Sequence, residues 1–458
     1  MAQQEEGFTV YAQRWLILAI FCALEGSSNM IWVTLAPISD IAQNYFGGVD
    51  GGFYGSSTGV NMFANMYLIT YLPGTIFSTL LVKNLRYKRA MEICGALTLT
   101  GAFLRYIAAL KAPQWGHECT YLVMLLGQTL AGLAQPMFLN SPPAIASKWF
   151  PISERDMATT VGSMFAPIGA AVGQVIPAML VSQHQSTTPT STGGSTEYTV
   201  HGMADLMLVE CLICVVPALA CFAFFRNAPP TAPSHSTQLK LDQEGAVGGM
   251  KRSNRGDFCA LMGNKNYLIL LTAFSIGVGF FNALLTLLNQ LVSPFGYSNG
   301  AAGTLGAVFI VCGLCGAGLV GTLMEKTRAY RPLLKCGVCV VFAATALFLC
   351  MLYSDNYWPL LVAIGILGFC MLPLLPVMME NCAECTYPIP EEMSMGLMFV
   401  GCNVLGLGFV FALQFLIEQP SFGPPPLLPA NAFILGVIFI ALLIVQFYSG
   451  EYKRLQNE

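Results

Sequence analysis

The chain has 458 residues, of which 55% are hydrophobic and 10% charged, with a formal net charge of -3 at pH 7 and a mean hydropathy of +0.63. Soluble domains carry roughly 25% charged residues, so a water-soluble globular protein is excluded and the bilayer is the solvent that fits. Lys and Arg occur in short scattered clusters rather than in one basic field, which excludes a nucleic-acid partner.

The N-terminal stretch is acidic at Glu5 and Glu6, and the apolar run that begins at Trp15 continues past Glu25 to Pro37. That is too long for the core of a secretion signal, so it is read as a first permanent helix. A window of roughly 19 residues then gives twelve apolar segments. They lie at 15–37, 57–82, 90–110, 119–140, 157–181, 203–225, 266–292, 301–324, 332–353, 357–379, 394–417 and 428–449. Each is long enough to cross a hydrocarbon layer about 30 Å thick. Lipid offers no partner to exposed backbone groups, so the segments are expected to be helices. A barrel is excluded because the sequence lacks alternation.

The longest polar stretch, 226–265, contains "NAPPTAPSHSTQ" and the cluster Lys251, Arg252 and Arg255, a composition suited to a solvated linker. The expected organisation is a cytosolic N terminus (1–14), a six-helix bundle (15–225), a cytosolic linker (226–265), a second six-helix bundle (266–449) and a cytosolic tail (450–458). This all-α membrane architecture resembles the major facilitator fold, twelve transmembrane helices in two six-helix halves with a solute site near midplane between them. With the N terminus cytosolic, the inner connections collect Arg14, Lys83, Arg86, Lys88, Arg89, Lys148, Arg155, Arg226, Lys326, Arg328, Arg331 and the linker cations. The outer side receives only Lys111, and Arg105 falls inside segment three. The positive-inside rule requires this asymmetry, and a miscounted helix would scramble it. Segments two and eight also end alike, in "LLVKNLRYKR" and "GTLMEKTRAYR", where major facilitator proteins carry a glycine, acidic and basic loop signature. Asn84 stands at the first acidic position, whereas Glu325 and Lys326 fit the pattern in the second half.

Function is sought in polar groups inside the segments, because each costs a few kcal/mol to hold at bilayer depth. Glu25, Asn29 and Trp32 are spaced i, i+4 and i+7, which puts them on one helix face. A carboxylate, an amide and an indole there can form half of a cation site, with the indole face offered to an ammonium group. The alternative is a packed Trp32 and a protonated Glu25. Segment two adds Asn61, Asn65, Tyr67 and Tyr71, and segment four adds Gln128 and Gln135, followed by Asn140. Phe281 and Asn282 come from segment seven, and Asn403 and Gln414 from segment eleven. Any one amide can serve simply to join neighbouring helices, contributing about 0.6–2 kcal/mol; several converging on one cavity would make a polar site. The candidate solute-binding set is Glu25, Asn29, Trp32, Asn65, Tyr67, Gln128, Gln135, Phe281, Asn282, Asn403 and Gln414. Glu25, Glu210 and Glu380 are candidates for proton coupling or gate ion pairs, and Glu384 is expected to be a solvated charge at the cytosolic edge.

Sixteen cysteines include four C-x-x-C pairs, at Cys211/Cys214, Cys312/Cys315, Cys336/Cys339 and Cys382/Cys385. Three pairs sit on apolar helices, where Cys acts as a small hydrophobe, and the fourth has no His nearby in sequence. Cys119 and Cys350 lie nearest the outer face in opposite halves, so no outer disulfide is expected. His117, His184, His201 and His235 all fall between segments, which leaves a midplane haem without an axial ligand. With no phosphate loop, hydrolase triad or zinc helix pattern, no metal, cofactor or enzymatic activity is expected.

Several stretches resemble the FLVCR group that forms solute carrier family 49: "SSNMIWVTLAPISD", "NMYLITYLPG", "GQTLAGLAQPMFLNSPPAIASKWF", "FFNALLTLLNQLV", "MENCAECTYPIPEEMSMGLMF" and "YKRLQNE". They run in order along nearly the whole chain, and segment one and the tail resemble the family's third, orphan vertebrate member. The resemblance implies transport of choline or ethanolamine, of haem, or of pyridoxine. In choline-carrying members an aromatic pair encloses the quaternary ammonium, and Trp32 matches one of its positions. The tyrosine position of that pair is Asn282 here, preceded by Phe281, and a segment-five glutamine is replaced at Pro167. A cage with one wall missing is expected to hold a trimethylammonium group less well. Glu25 is a further departure, because related sequences tend to a neutral residue there.

The expected function is therefore alternating-access transport of a small organic solute. The alternative is a receptor or sensor that retained the fold without transport, but the termini hold no room for a soluble domain or a long signalling tail. The expected partners are a small-molecule substrate and the lipid bilayer, the protein is expected to act as a monomer, and the plasma and lysosomal membranes are its expected locations. "YKRL" at Tyr452 to Leu455 matches a loose endocytic sorting pattern.

Overall fold

The structure is a computed structural model that describes residues 10–47, 52–188, 195–231, 254–353, 356–387, 389, 391–419 and 429–452. Glu5, Glu6, His235, Lys251, Arg252 and most of the linker, the side chains of Arg255 and Glu325, and the tail from Lys453 lie outside the described residues.

Ten helical runs are long and apolar enough to cross a membrane. One of them, Ser57–Leu139, leaves helical geometry at Arg86 (φ 68°, ψ 159°) and Gly116 (φ 76°, ψ 172°), which divides it into three spans. Among the described residues the count is thus the expected twelve. Gly116 can take a positive φ freely because it has no Cβ. Arg86 adopts a conformation that glycine normally occupies, a strain of about 1–3 kcal/mol.

Proline sets two further boundaries. The first span, Gln13–Val33, gives way at Pro37 to the 3-10 turn Ala36–Ile38 and a short helix, Ser39–Gly47. The tenth is split at Pro373 into Tyr357–Met371 and Leu374–Thr386, because proline offers no N–H to the preceding turn. The remaining spans are Ile152–Leu180, Met203–Phe224, Lys265–Val292, Asn299–Thr327, Tyr330–Met351, Glu391–Ile417 and Pro429–Gln446.

Two elements depart from the sequence expectation. The connection after the fifth span forms an antiparallel hairpin, Ser182–Thr188 with Ser195–His201, with Ser182 opposite His201. Its Ser, Thr and Gln side chains give hydropathy nothing to detect. Of the histidines placed between segments, His184 and His201 stand on this hairpin, and His117 follows Gly116 with its Nδ1 2.8 Å from the Tyr45 carbonyl. The polar linker contains a helix, Asn254–Gly263, immediately before the seventh span.

The halves repeat a packing device. Spans one and five approach backbone to backbone at Gly26 and Gly169, and spans seven and eleven do so at Gly279 and Gly406. Small residues at such crossings let helices pack in lipid, where no hydrophobic force drives them together. The halves meet at spans five and eight, where Gly303 and Gly306 lie against Gln174, and at spans two and eleven.

The alternation of spans puts Arg14, the 83–89 turn, Lys148 and the linker on one face, here called the basic face, and the hairpin on the other. On the hairpin face the halves are tied by amides. Asn61 Nδ2 donates to Gln290 Oε1 (3.2 Å) and Gln414 Oε1 (3.1 Å), and Gln290 Nε2 donates back to Asn61 Oδ1 (2.8 Å). Gln414 Nε2 donates to the hydroxyls of Ser57 and Thr58 at 3.0 and 2.6 Å. Asn289 Nδ2 reaches Ser39 Oγ and Asp40 Oδ1, both at 3.3 Å.

Candidate functional site

Between the halves lies a cavity of about 220 Å³ that extends from mid-span to Leu139 and Val445, near the basic-face ends of spans four and twelve. Segment one contributes Glu25, Asn29 and Trp32, as its i, i+4, i+7 spacing requires. Tyr67, Gln135, Phe281, Asn282 and Asn403 join them in the lining, together with Ser163 and Phe399. Eight of the eleven candidate side chains therefore share one chamber, five from the first half and three from the second.

Segment one is held by its neighbours through its backbone. Tyr67 donates its hydroxyl to the Ser28 carbonyl (3.0 Å), and Gln128 Nε2 donates to the Ile31 carbonyl (3.2 Å). Asn29 Nδ2 donates to the Glu25 carbonyl (2.9 Å), and Gln135 Nε2 donates to Asn29 Oδ1 (3.2 Å). The amides thus position the helix and leave the Glu25 carboxylate to the cavity. Glu25 is 1% exposed and Trp32 6%. Glu25 Oε2 and Trp32 Nε1 are both buried without a hydrogen-bond partner. Among the described residues, Glu25 is the single charged side chain in the lining.

The second half presents a different wall. Asn403 spends its amide on the Phe399 carbonyl (2.8 Å), and the Phe281 ring lies 5.8 Å from that of Phe309. Spans nine, ten and twelve add Val338, Val341, Met371, Leu375 and Ile438, all apolar.

Three candidates lie elsewhere. Asn65 is fully buried outside the cavity lining. Gln128 borders a separate void of about 10 Å³ with Asn61 and Thr286; Trp32 lines both spaces. Gln414 belongs to the amide network of the hairpin face.

The acidic candidates also separate. Glu210 pairs with Arg105 at 2.8 Å, both buried, away from the cavity. Glu380 is partly buried and outside the lining. Glu384 is not the solvated charge expected at the edge: it is 0% exposed, because Leu374–Thr386 continues the tenth span inward as a helix packed among its neighbours. Sequence reasoning also missed the Arg105–Glu210 pair, although a cation inside an apolar segment is itself a sign that a partner exists. Gln290 and Ser163 gave no signal above ordinary helix polarity.

Residues 16–404 match the Major Facilitator Superfamily profile. The chain belongs to the Major Facilitator Superfamily. Within the superfamily it is similar to solute carrier family 49 member A3 of Xenopus tropicalis, 27% identical over 98% of this chain and 90% of that protein. It is also similar to the human choline/ethanolamine transporter FLVCR2, 24% identical over 97% of this chain and 79% of that one. The fold is shared with superfamily members of known structure. A D-xylose-proton symporter superposes with a TM-score of 0.64 at 13% identity, covering 96% of this chain and 98% of the symporter. The xylose transporter of E. coli, in a partially occluded inward-open conformation, gives 0.67 at 10% identity, covering 96% and 99%.

Proposed function

We propose that this superfamily member carries a small organic cation across the membrane by alternating access, with the cavity between its halves as the binding site. The observation that carries this reading is Glu25, a buried carboxylate whose Oε2 has no protein partner, alone in charge among the described lining residues. An uncompensated charge at bilayer depth is unfavourable by several kcal/mol, and a cationic solute is the natural partner. Trp32 on the same face adds its ring. That relatives include choline/ethanolamine transporters is in keeping with a cation.

The other solutes implied by the family resemblance fit less well. Haem bears carboxylates, and this lining offers them a carboxylate and no cation. A neutral ring alcohol such as pyridoxine would offer Glu25 a hydroxyl but no countercharge.

The cavity reaches toward the basic face while amides join the halves on the hairpin face. With the basic face cytosolic, this is an inward-facing arrangement. Outward opening then requires the Asn61–Gln290–Gln414 network to separate. Of the acidic coupling candidates, Glu25 alone contacts the cavity, so any coupling to protons belongs to it rather than to Glu210 or Glu380. The reading takes the protein as a monomer of the plasma or lysosomal membrane.

An uptake screen of organic cations, anions and neutral solutes in cells expressing the wild type or Trp32→Ala tests the proposal. Cation uptake that falls in the variant at equal surface expression is the expected result. Selective uptake of anions would overturn it.

A further inference from the structure

We infer that the transported cation is a protonated amine that keeps at least one N–H and bears an apolar body, rather than a fully methylated ammonium or a small amino alcohol. The inference rests on the organic-cation reading above and narrows it.

The first argument is the chemistry at Glu25. A carboxylate oxygen is an acceptor, and Glu25 Oε2 is buried against the cavity with no donor from the protein. A protonated primary, secondary or tertiary amine supplies an N–H and forms a charge-assisted hydrogen bond, the strongest type available. A quaternary ammonium has no N–H and can offer only its charge.

The second argument concerns what would replace that bond for a quaternary ion. Such ions are held by aromatic rings on several sides. Trp32 provides one ring face; of the other rings in the lining, Tyr67 is fully buried with its hydroxyl on the Ser28 carbonyl, and Phe399 packs edge-to-face with Phe274 at 5.4 Å. Across the cavity Asn282 presents an amide, and the neighbouring Phe281 ring is engaged with Phe309 at 5.8 Å.

The third argument is the rest of the wall. A small amino alcohol needs hydrogen-bond partners for its hydroxyl. One amide N–H each of Asn29, Gln135 and Asn403 is committed to the Glu25 carbonyl, Asn29 and the Phe399 carbonyl, so a hydroxyl finds only their second N–H groups, Asn282 and Ser163 in a mostly apolar lining. Facing them, Val338, Val341, Met371, Leu375 and Ile438 form a surface that favours hydrocarbon. Methionine there can adjust to bodies of different shape.

Four probes separate these features: phenethylamine, its N,N,N-trimethyl derivative, ethanolamine and choline. The purified full-length protein in proteoliposomes is assayed for uptake of each, and binding is read in parallel as displacement of labelled phenethylamine. Phenethylamine is expected to be preferred over each of the other three by at least about tenfold, the size of effect one charge-assisted hydrogen bond supports. Glu25→Gln is expected to erase the preference over the trimethyl derivative. That comparison is secondary, so loss of the variant in folding leaves the wild-type series decisive.

Equal or better handling of the trimethyl derivative, choline or ethanolamine overturns the inference while leaving the organic-cation reading intact. Failure of all four probes to bind or be transported overturns both.

Discussion

Glu25 and Trp32, seven residues apart on the first membrane span, face the same cavity, and each buries a polar atom without a hydrogen-bond partner, Oε2 and Nε1. Two complementary groups left open on one helix face and lining one cavity mark the place where a ligand completes the structure.

Trp32 contributes a ring rather than a hydrogen bond to a cation, so size and aromaticity matter more than the indole N–H. Trp32→Phe is expected to weaken substrate affinity a few-fold and Trp32→Ala by about tenfold or more, in line with the roughly 0.5–2 kcal/mol of a cation–π contact. Concentration-dependent uptake, normalised to surface expression, reads both effects.

The Arg105–Glu210 pair joins spans three and six at 2.8 Å inside the first half. Removing one partner strands the other charge, so Glu210→Gln alone is expected to destabilise the protein by about 3–5 kcal/mol. Replacing both, as in Arg105→Met with Glu210→Met, is expected to recover most of that loss. Thermal unfolding of the purified protein in detergent measures the cycle.

Much of this architecture was legible in the sequence because its causes are local. Length and hydropathy define a span, cation placement orients it, and the i, i+4, i+7 spacing of Glu25, Asn29 and Trp32 needs only helical geometry to put the three on one face. What was not legible depends on which helices become neighbours. Nothing near Asn65 or Gln414 in sequence says that one is buried away from the cavity and the other ties the halves together. Arg105 and Glu210 are likewise joined only by the packing of spans three and six. The hairpin after span five is invisible to hydropathy for a simpler reason, its sequence being mostly Ser, Thr, Gln and His.

The amide network on the hairpin face is uncharged apart from Asp40 and Glu418, the latter accepting from Ser57 Oγ at 2.8 Å. Asn61 stands at its centre, contacting both Gln290 and Gln414. Asn61→Ala is therefore expected to favour separation of the halves on that face. A cysteine placed at Thr58 in an otherwise cysteine-free background would then be labelled faster by a membrane-impermeant maleimide than in the Asn61 protein. Equal labelling would assign the network to structure alone.

Gly169 lies against the backbone of Gly26, with no room for a side chain. Gly169→Val is expected to push spans one and five apart and to abolish stable expression, whereas the same change at Gly436, where nothing lies near a Cβ, is expected to be tolerated. Fluorescence-detected size-exclusion chromatography of tagged variants distinguishes the two.

The role of Glu25 is tested most directly by uptake of labelled phenethylamine into proteoliposomes holding matched amounts of wild type, Glu25→Asp or Glu25→Gln. A carboxylate that pairs with the cation predicts at least about a tenfold fall in initial rate for Glu25→Gln, with part of the activity kept by Glu25→Asp. Unchanged uptake kinetics in a folded Glu25→Gln protein would contradict the account.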